Sequence, residues 1–216
     1  MFNCLKPAAG LLPACVILCS VTSFTPHKNR AKYNLIYPAK KNSANAVSLI
    51  GRLRSKALET KAYARIHNFN TDFCLMADMG IAPGKKRFFM YSFINDSVEL
   101  SGLVTHGMGR NRFSGEIEFS NLEGSLCTSL GKYKIGNYYT GNYGPAYKLH
   151  GLDETNSNAF KRAVVLHGYD CVPEEEVYPK QICKSEGCPM LSPVFFQQLK
   201  TFLNQSEKPV LLLIYN

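Results

Sequence analysis

The residue types best suited to chemistry lie between residues 162 and 191. An apolar run, Ala163–Leu166, ends in His167, and Gly168 follows at once. After 17 intervening residues, counted from Gly168, the chain reads Ser185-Glu186-Gly187-Cys188-Pro189. A thiol reacts as its thiolate and needs a base near neutral pH, and His167 is the nearby candidate. The two residues therefore predict nucleophilic catalysis by Cys188 with His167 as general base.

The glycine before Cys188 permits a tight turn and the close approach of another molecule. In such a turn the backbone N–H groups of Gly187 and Cys188 can point together towards a developing oxyanion. Three other interpretations remain open at this point. His167 is a buried core histidine, or Cys188 forms a disulfide with Cys183 or Cys171, or a zinc ion is bound. The zinc ligands would be His167, Cys171, Cys183 and Cys188, although zinc cysteines usually come in pairs about two to four residues apart.

The cysteine count indicates how the thiols are used. The chain has eight cysteines, and three of them, Cys4, Cys15 and Cys19, fall in the first 23 residues. Five remain, so at least one is unpaired within a single chain, and in an oxidising compartment an unpaired thiol is often the reactive atom. If Cys188 is that thiol, Cys171 and Cys183 can pair and close a loop beside it.

The N-terminal segment has the pattern of an export signal. Lys6 is the single charged residue among the first 27, and Pro7–Cys19 is almost wholly apolar. We expect residues 1–23 to be a cleaved signal peptide and the protein to be exported to the periplasm or cell envelope. An alternative is lipid attachment at Cys15, within Leu12-Pro13-Ala14-Cys15, which would anchor the protein to a membrane.

The net charge of +9 is confined to one part of the chain. Residues 1–100 contain 14 Lys and Arg against 5 Asp and Glu, whereas residues 101–216 contain 11 of each. A neutral body does not suit a domain that grips nucleic acid, and we expect no nucleic-acid partner. Contact of the basic N-terminal part with a membrane or wall polymer stays open, as does the oligomeric state.

The periodicity predicts a helix followed by a strand-rich body. Residues 24–42 are a polar linker, and a basic helical arm runs from Asn42 or Ser43 to about Ile66. Its expected apolar stripe is Val47, Ile50, Leu53, Ala57, Leu58, Ala62 and Ile66. The expected strands are Phe73–Met79, Arg87–Phe93, Val98–His106, Ser129–Ile135, Ala146–Leu152, Arg162–His167 and Val210–Tyr215. A second helix starts at Pro193 and ends near Asn204, and the apolar final strand should be central.

These motifs together resemble the catalytic domain of the murein L,D-transpeptidases, bacterial cell-wall enzymes with a cysteine nucleophile. His167-Gly168 and Ser185-x-Gly187-Cys188 have the spacing of that signature. Further similar blocks are Val104-Thr105-His106-Gly107, Phe119-Ser120-Asn121, Gly124-Ser125, Ser129-Leu130-Gly131-Lys132-Tyr133 and Gly151-Leu152. The resemblance covers about residues 72–216. Glu186 departs from it, since relatives carry His or Trp there.

The resemblance implies a mainly β, mixed sandwich-like fold for residues 72–216 and a peptidoglycan stem peptide as substrate, with no cofactor or metal. Cys188 would attack the carbonyl of an L-centre, release D-alanine and form a thioester, which an amine resolves in a transpeptidase and water in an L,D-carboxypeptidase. His167 would be the base, oriented by the carbonyl of Gly168.

In the same family terms, the amides of Gly187 and Cys188 would bind the oxyanion. Ser185 would shape the loop, Glu186 would alter the pocket, and His106 would either line the cleft or end a strand. A carboxylate beside a thiol raises the thiol pKa, so Glu186 also makes a non-catalytic wall-binding module an alternative. A zinc-stabilised secreted protein is the third possible function, after the cell-wall enzyme and the wall-binding module.

Overall fold

The computed structural model describes residues 43–111 and 115–216. The predicted signal peptide, residues 1–23, and the linker, residues 24–42, lie outside the described residues. The described chain contains two α-helices, a short 3₁₀ turn at Glu154–Asn156 and eight strands. The helices are α1 (Ser43–Ile66) and α2 (Pro193–Gln205). The strands are β1 (Phe73–Asp78), β2 (Phe88–Ser92), β3 (Ser97–Gly102), β4 (Gly131–Gly141), β5 (Gly144–Gly151), β6 (Val165–Gly168), β7 (Met190–Leu191) and β8 (Leu211–Tyr215).

The eight strands form one mixed sheet in the order β3-β2-β1-β8-β4-β5-β6-β7. The final strand, β8, lies in the middle, parallel to β1 and antiparallel to β4. Its side chains alternate between two apolar clusters, with Leu212 and Ile214 in one and Leu213 and Tyr215 packed against the other. A strand covered on both faces is apolar throughout, so the prediction of a central C-terminal strand is confirmed.

The sheet curls until its two edges meet. Val104, just after β3, bridges to Leu191 of β7. Side chains from both halves of the sheet share the main core, which also takes up the apolar face of α2. Gly102 is required there, because a Cβ at that position would lie 2.3 Å from the Phe195 ring. The mainly β, sandwich-like fold with two helices is thus confirmed.

Helix α1 packs on the opposite face of β1, β2 and β8. Its buried line is Leu53, Ala57, Thr60 and Ala64, at steps of four, three and four residues. The apolar stripe expected from the sequence is therefore partly wrong: Ile50, Leu58 and Ile66 are 59–79% exposed. The helix carries apolar side chains on more than one face, so the sheet and not the periodicity selects the buried line. None of the helices in the described ranges is long and apolar enough to cross a membrane.

Most predicted elements are present, and the differences arise at their ends. The strand expected at Arg162–His167 begins only at Val165, because turns occupy the preceding residues and Ala163 has a φ of 55°. The strand expected to reach His106 ends at Gly102, after which the chain makes single bridges. The two-residue strand β7 was missed, since two residues carry no periodic signal.

Candidate active site

Strands β6 and β7 bring His167 and Cys188 to one face of the sheet. His167 pairs in parallel with Met190, and the flanking Leu166 and Leu191 both enter the main core. Alternation along a strand therefore directs His167 and Met190 to the other face. Cys188, two residues before Met190, packs against the same small cluster as Met190. The segments that carry His167 and Cys188 thus lie side by side at this edge of the sheet, although 20 residues separate the two in the chain.

The Cys188 thiol is held against the segment leading into β6. Its Sγ lies 3.9 Å from the carbonyl oxygen of Ala163, to which the thiol can donate. Burial raises the pKa of Cys188, while the Val165 N–H and the charge of Arg162 lower it, and Glu186 adds to the rise. The net direction is upward, so the resting group is a thiol and not a thiolate at neutral pH. A base is needed to activate it.

The backbone fixes one orientation of the His167 imidazole. Its Nδ1 lies 3.1 Å from the carbonyl oxygen of Gly168. A carbonyl only accepts hydrogen bonds, so Nδ1 carries the proton and Nε2 keeps its lone pair. Burial lowers the pKa of His167, and the bond to Gly168 opposes that shift only in part. The neutral ring is therefore the resting form, with Nε2 free to accept a proton.

Two tyrosines that the sequence analysis missed enclose the imidazole. The Tyr143 ring stacks on His167 with 5.9 Å between centroids, and Tyr169 meets His167 edge-on at 6.3 Å. His167 is 4% exposed, whereas Tyr143 is 68% and Tyr169 41% exposed. Tyr169 follows His167 by two residues, whereas Tyr143 comes from the β4–β5 turn, and no local spacing links Tyr143 to His167.

Residues 104–108 hold the segment that carries Cys188. The Ser185 N–H donates to the His106 carbonyl at 2.9 Å, and the Met108 N–H donates to the Ser185 carbonyl at 2.7 Å. Thr105 completes the attachment, because its hydroxyl donates to the Cys188 carbonyl at 3.2 Å. These bonds join the segment after β3 to the segment before β7, where the two edges of the sheet meet. The position of the thiol therefore depends on closure of the whole sheet.

The turn at Gly187 needs glycine for two reasons. Its φ is 114°, and a Cβ there would lie 2.7 Å from the Cys127 carbonyl oxygen. The Gly187 N–H donates to Ser185 Oγ at 3.1 Å, so Ser185 fixes the loop through its hydroxyl. The expected oxyanion role of Gly187 remains a prediction, and it requires this N–H to be shared with, or released from, Ser185.

Arg162 supports the same turn, and the sequence analysis did not identify it as a site residue. Its Nη2 donates to the Cys127 carbonyl at 2.6 Å and its Nη1 to the Ser120 carbonyl at 2.9 Å. The guanidinium lies behind Gly187, and its charge favours the thiolate of Cys188. The available signal was a cation at the start of an otherwise apolar run.

His106 lies beneath the site and does not present a free ring to a cleft. It is 3% exposed, and its Nδ1 accepts a hydrogen bond from Arg87 Nη2 at 3.0 Å. Burial, with the charges of Arg87 and Lys184, lowers the pKa of His106 to about 4. The ring is neutral at pH 7, and its backbone carbonyl holds Ser185. Of the two alternatives that the sequence left open, a ring buried to this degree does not support the cleft-lining one, and His106 follows the end of β3 instead.

The loop between β6 and β7 is fastened by a disulfide between Cys171 and Cys183, with Cα atoms 6.0 Å apart. This confirms the pairing suggested by the cysteine count and removes both sulfurs from the possible zinc ligands. Within residues 43–111 and 115–216, no group of three or more His, Cys, Asp or Glu side chains suits a metal ion. Glu174 of the loop also accepts from Ser192 Oγ and from the Val194 N–H at the start of α2.

Comparison with known proteins gives one family and several distant structures. Residues 50–215 match the model of a family described as the L,D-transpeptidase catalytic domain. No protein with a curated description matches the chain.

Similar solved structures include a mutant L,D-transpeptidase from Enterococcus faecium, 15% identical with a TM-score of 0.40, covering 67% of this chain and 50% of that one. The helical cell shape determining protein Pgp2 from Campylobacter jejuni is 17% identical with a TM-score of 0.40, covering 67% and 48%. An L,D-transpeptidase from Mycobacterium smegmatis is 11% identical with a TM-score of 0.37, covering 67% and 59%. The chain spans about half the length of the first structures it matches.

Proposed function

The chain belongs to the family of L,D-transpeptidase catalytic domains, and from this premise we propose that it is a peptidoglycan L,D-transpeptidase with Cys188 as nucleophile and His167 as base. The observation that carries the proposal is the parallel pairing of His167 with Met190, because Cys188 lies two residues before Met190 and packs against the same small cluster. No cofactor enters the chemistry.

The neutral resting states of both groups define the first step. Nε2 of His167 accepts the thiol proton as sulfur attacks the carbonyl carbon of an L-centre in a tetrapeptide stem. The tetrahedral intermediate collapses when its C–N bond breaks, and the leaving amine of D-alanine takes the proton back from His167. Cys188 is then a thioester, and acyl transfer has been divided into two easier steps.

The second step regenerates the thiol. An amine of a neighbouring stem gives a proton to His167 Nε2 and attacks the thioester carbon, and the C–S bond breaks. The sulfur recovers the proton, and the product is a cross-link. If water is the acceptor instead, the same site is an L,D-carboxypeptidase, so the two activities differ only in the second nucleophile.

Backbone amides would supply electrostatic stabilisation. The N–H groups of Cys188 and Gly187 are the proposed oxyanion donors, with Gly187 leaving Ser185 Oγ as charge develops on the substrate oxygen. Removing one such donor typically costs about 10²–10³-fold in rate. Arg162 acts through the charge it places near sulfur, which favours the thiolate that forms during attack.

The substrate requires a location outside the cytosol. We therefore keep residues 1–23 as the proposed export signal and the periplasm or cell envelope as the proposed location, with lipid attachment at Cys15 as the alternative. The mature N-terminus identified by mass spectrometry tests this. A chain isolated from cells with residues 1–23 intact and unlipidated would contradict it.

Thioester trapping tests the nucleophile directly. A carbapenem acylates an active nucleophilic thiol, so the intact mass of the wild-type chain should rise by one drug molecule. Cys188→Ala should remain folded and show no increase. Cys74→Ala is the matched control, because Cys74 is fully buried under α1 and burial raises its thiol pKa. An adduct on Cys188→Ala, or none on the wild type, contradicts the proposed nucleophile.

Two further measurements separate the alternatives. With purified muropeptides, cross-linked dimers indicate transpeptidation and shortened stems indicate carboxypeptidation, whereas neither product and no adduct would indicate a non-catalytic wall-binding module. His167→Ala should lower the rate of iodoacetamide labelling of Cys188 near neutral pH, mapped by peptide mass spectrometry. An unchanged labelling rate would contradict the role of His167 as base.

A further inference from the structure

A basic groove lies on the β4–β5 hairpin, outside the site described above. Its volume is about 530 Å³, and it lies between these strands and the segment that joins α2 to β8. Strand β4 has an irregularity in its pairing between Ile135 and Tyr138, and Gly136 and Asn137 at that irregularity line the groove. The side chains that matter are Lys134, Lys148, Lys208, His150, Phe160 and Glu207.

An ordered pair of rings forms one wall of the groove. The imidazole of His150 stacks on Phe160 with 4.7 Å between centroids and 14° between planes. Gly136 is needed opposite, because a Cβ there would lie 2.6 Å from His150 Nε2. Lys148 Nζ lies 5.6 Å from the Phe160 centroid, which holds this cation at the rim of the groove. The backbone and the rings thus form a defined surface.

The charge in this groove is unbalanced. Within the described ranges, none of the three lysines has a carboxylate within ion-pair distance, and Glu207 is the single acidic residue among those lining the groove. Burial, then Lys134 and Lys148, lowers the pKa of His150. In the described part of the chain, aromatic rings contact Lys148 but no carboxylate pairs with any of the three lysines. An anion placed among these charges would reduce their mutual repulsion.

The groove and the proposed nucleophile share one face of the sheet. Lys148 pairs with Val165, and His150 pairs with Lys134, so these side chains point the same way as His167. The N–H of Val165 in turn acts on the Cys188 sulfur. Two strand spacings, about 10 Å, therefore separate the Lys148 backbone from the segment of Cys188.

We propose that this groove binds an acidic sugar, whose carboxylate or phosphate lies among Lys134, Lys148 and Lys208 and whose ring packs against the exposed Phe160. An anionic group would pair with the lysines, which lack a carboxylate partner. The apolar face of a sugar ring would pack on Phe160, whose side chain is 54% exposed. The inference goes beyond the proposed activity, because neither Cys188 nor His167 contributes to the groove.

The test is a titration of the full chain followed by NMR signals of the His150 ring, at constant low ionic strength. N-acetylmuramic acid supplies a carboxylate, N-acetylglucosamine 6-phosphate supplies a phosphate, and N-acetylglucosamine is the neutral sugar of similar shape. We expect saturable shifts and a raised pKa of His150 with an acidic sugar, and no comparable response to the neutral one. The tighter of the two acidic sugars identifies the anionic group.

Exposed lysines provide variants that retain the fold. Lys134→Gln and Lys148→Gln should each weaken binding of the acidic sugar about two- to fivefold, the range of an exposed charge pair. Lys85→Gln is the control, because Lys85 lies over Tyr178 in another part of the molecule. Equal binding of acidic and neutral sugars, unchanged affinity in both groove variants, or no saturable response to any sugar would overturn the proposal.

Discussion

Arg87 is a fully buried cation that ties the sheet to the segment under the active site. Its Nε and Nη2 donate to the Val104 carbonyl at 3.0 and 2.9 Å, and its Nη1 donates to the Ile81 carbonyl at 3.1 Å. Nη2 also reaches His106 Nδ1 at 3.0 Å. Burial lowers the pKa of Arg87 to about 10, so the guanidinium is charged at pH 7. We predict that Arg87→Met strongly destabilises the fold.

The magnitude follows from the groups left without a partner. The substitution leaves the carbonyls of Val104 and Ile81 and the Nδ1 of His106 unsatisfied inside the protein, and each such group costs about 1–3 kcal/mol. Opening a buried charged network typically costs about 3–5 kcal/mol in total. For a chain of this length, 1 kcal/mol corresponds to a shift in Tm of about 2–4 °C. The expected fall in Tm is therefore about 6–20 °C.

Urea and thermal unfolding measure the effect, with Arg54→Met as the matched control. Arg54 pairs with Asp96 at 2.5 Å, and both side chains are well exposed, at 62% and 44%, so its loss should cost little stability. The reasoning is refuted if Arg87→Met loses no more stability than Arg54→Met. The rate at which iodoacetamide labels Cys188 should also differ between Arg87→Met and the wild type, because residues 104–106 hold Ser185 and Cys188 in place.

Three further predictions concern residues around the thiol. Burial beside Arg87 lowers the pKa of His106 from 6.5 to about 4; between these pH values the unfolded chain binds more protons, so stability falls as pH decreases. His106→Gln should flatten that part of the urea-measured pH–stability curve, and an identical slope would contradict the shift. Gly187 has a φ of 114°, so Gly187→Ala should suppress carbapenem acylation while the protein remains folded in a thermal unfolding assay. Normal acylation of this variant would show that the turn tolerates a Cβ. Replacing Cys171 and Cys183 by Ser, which frees a loop of sequence separation 12, should cost about 3 kcal/mol; an unchanged unfolding midpoint would argue against the disulfide.

Local pattern was sufficient for several elements. Apolar residues at steps of three and four, with Asn42 or Ser43 as the cap, predicted a helix to about Ile66, and α1 runs from Ser43 to Ile66. Pro193 was predicted as the first residue of α2, as the structure has it. An uninterrupted apolar run predicted that β8 is central. Each of these signals lies within one element, so the residues that carry it are already neighbours in the chain.

Packing decided what the same patterns left open. The stripe of α1 was assigned partly to the wrong residues, because Ile50, Leu58 and Ile66 are as apolar as the buried Leu53. The helix has several usable faces, and the surface of β1, β2 and β8 chooses among them. The strand that leads to His167 was predicted to start three residues too early. Ala163 has a positive φ, which cannot be predicted from its residue type.

The amino-acid sequence by itself determined which groups are available: one imidazole after an apolar run, one thiol after a glycine, and a pair of cysteines between them. Only the tertiary structure decided how the segments that carry these groups are arranged, through the register of His167 with Met190 and the closure of the sheet at Val104 and Leu191. It also revealed the roles of Arg162 and Arg87, whose hydrogen-bond partners lie 6 to 42 residues away in the chain. The physical reason is that periodicity reports a residue's own element, whereas hydrogen bonds and charges act between elements that only folding brings together.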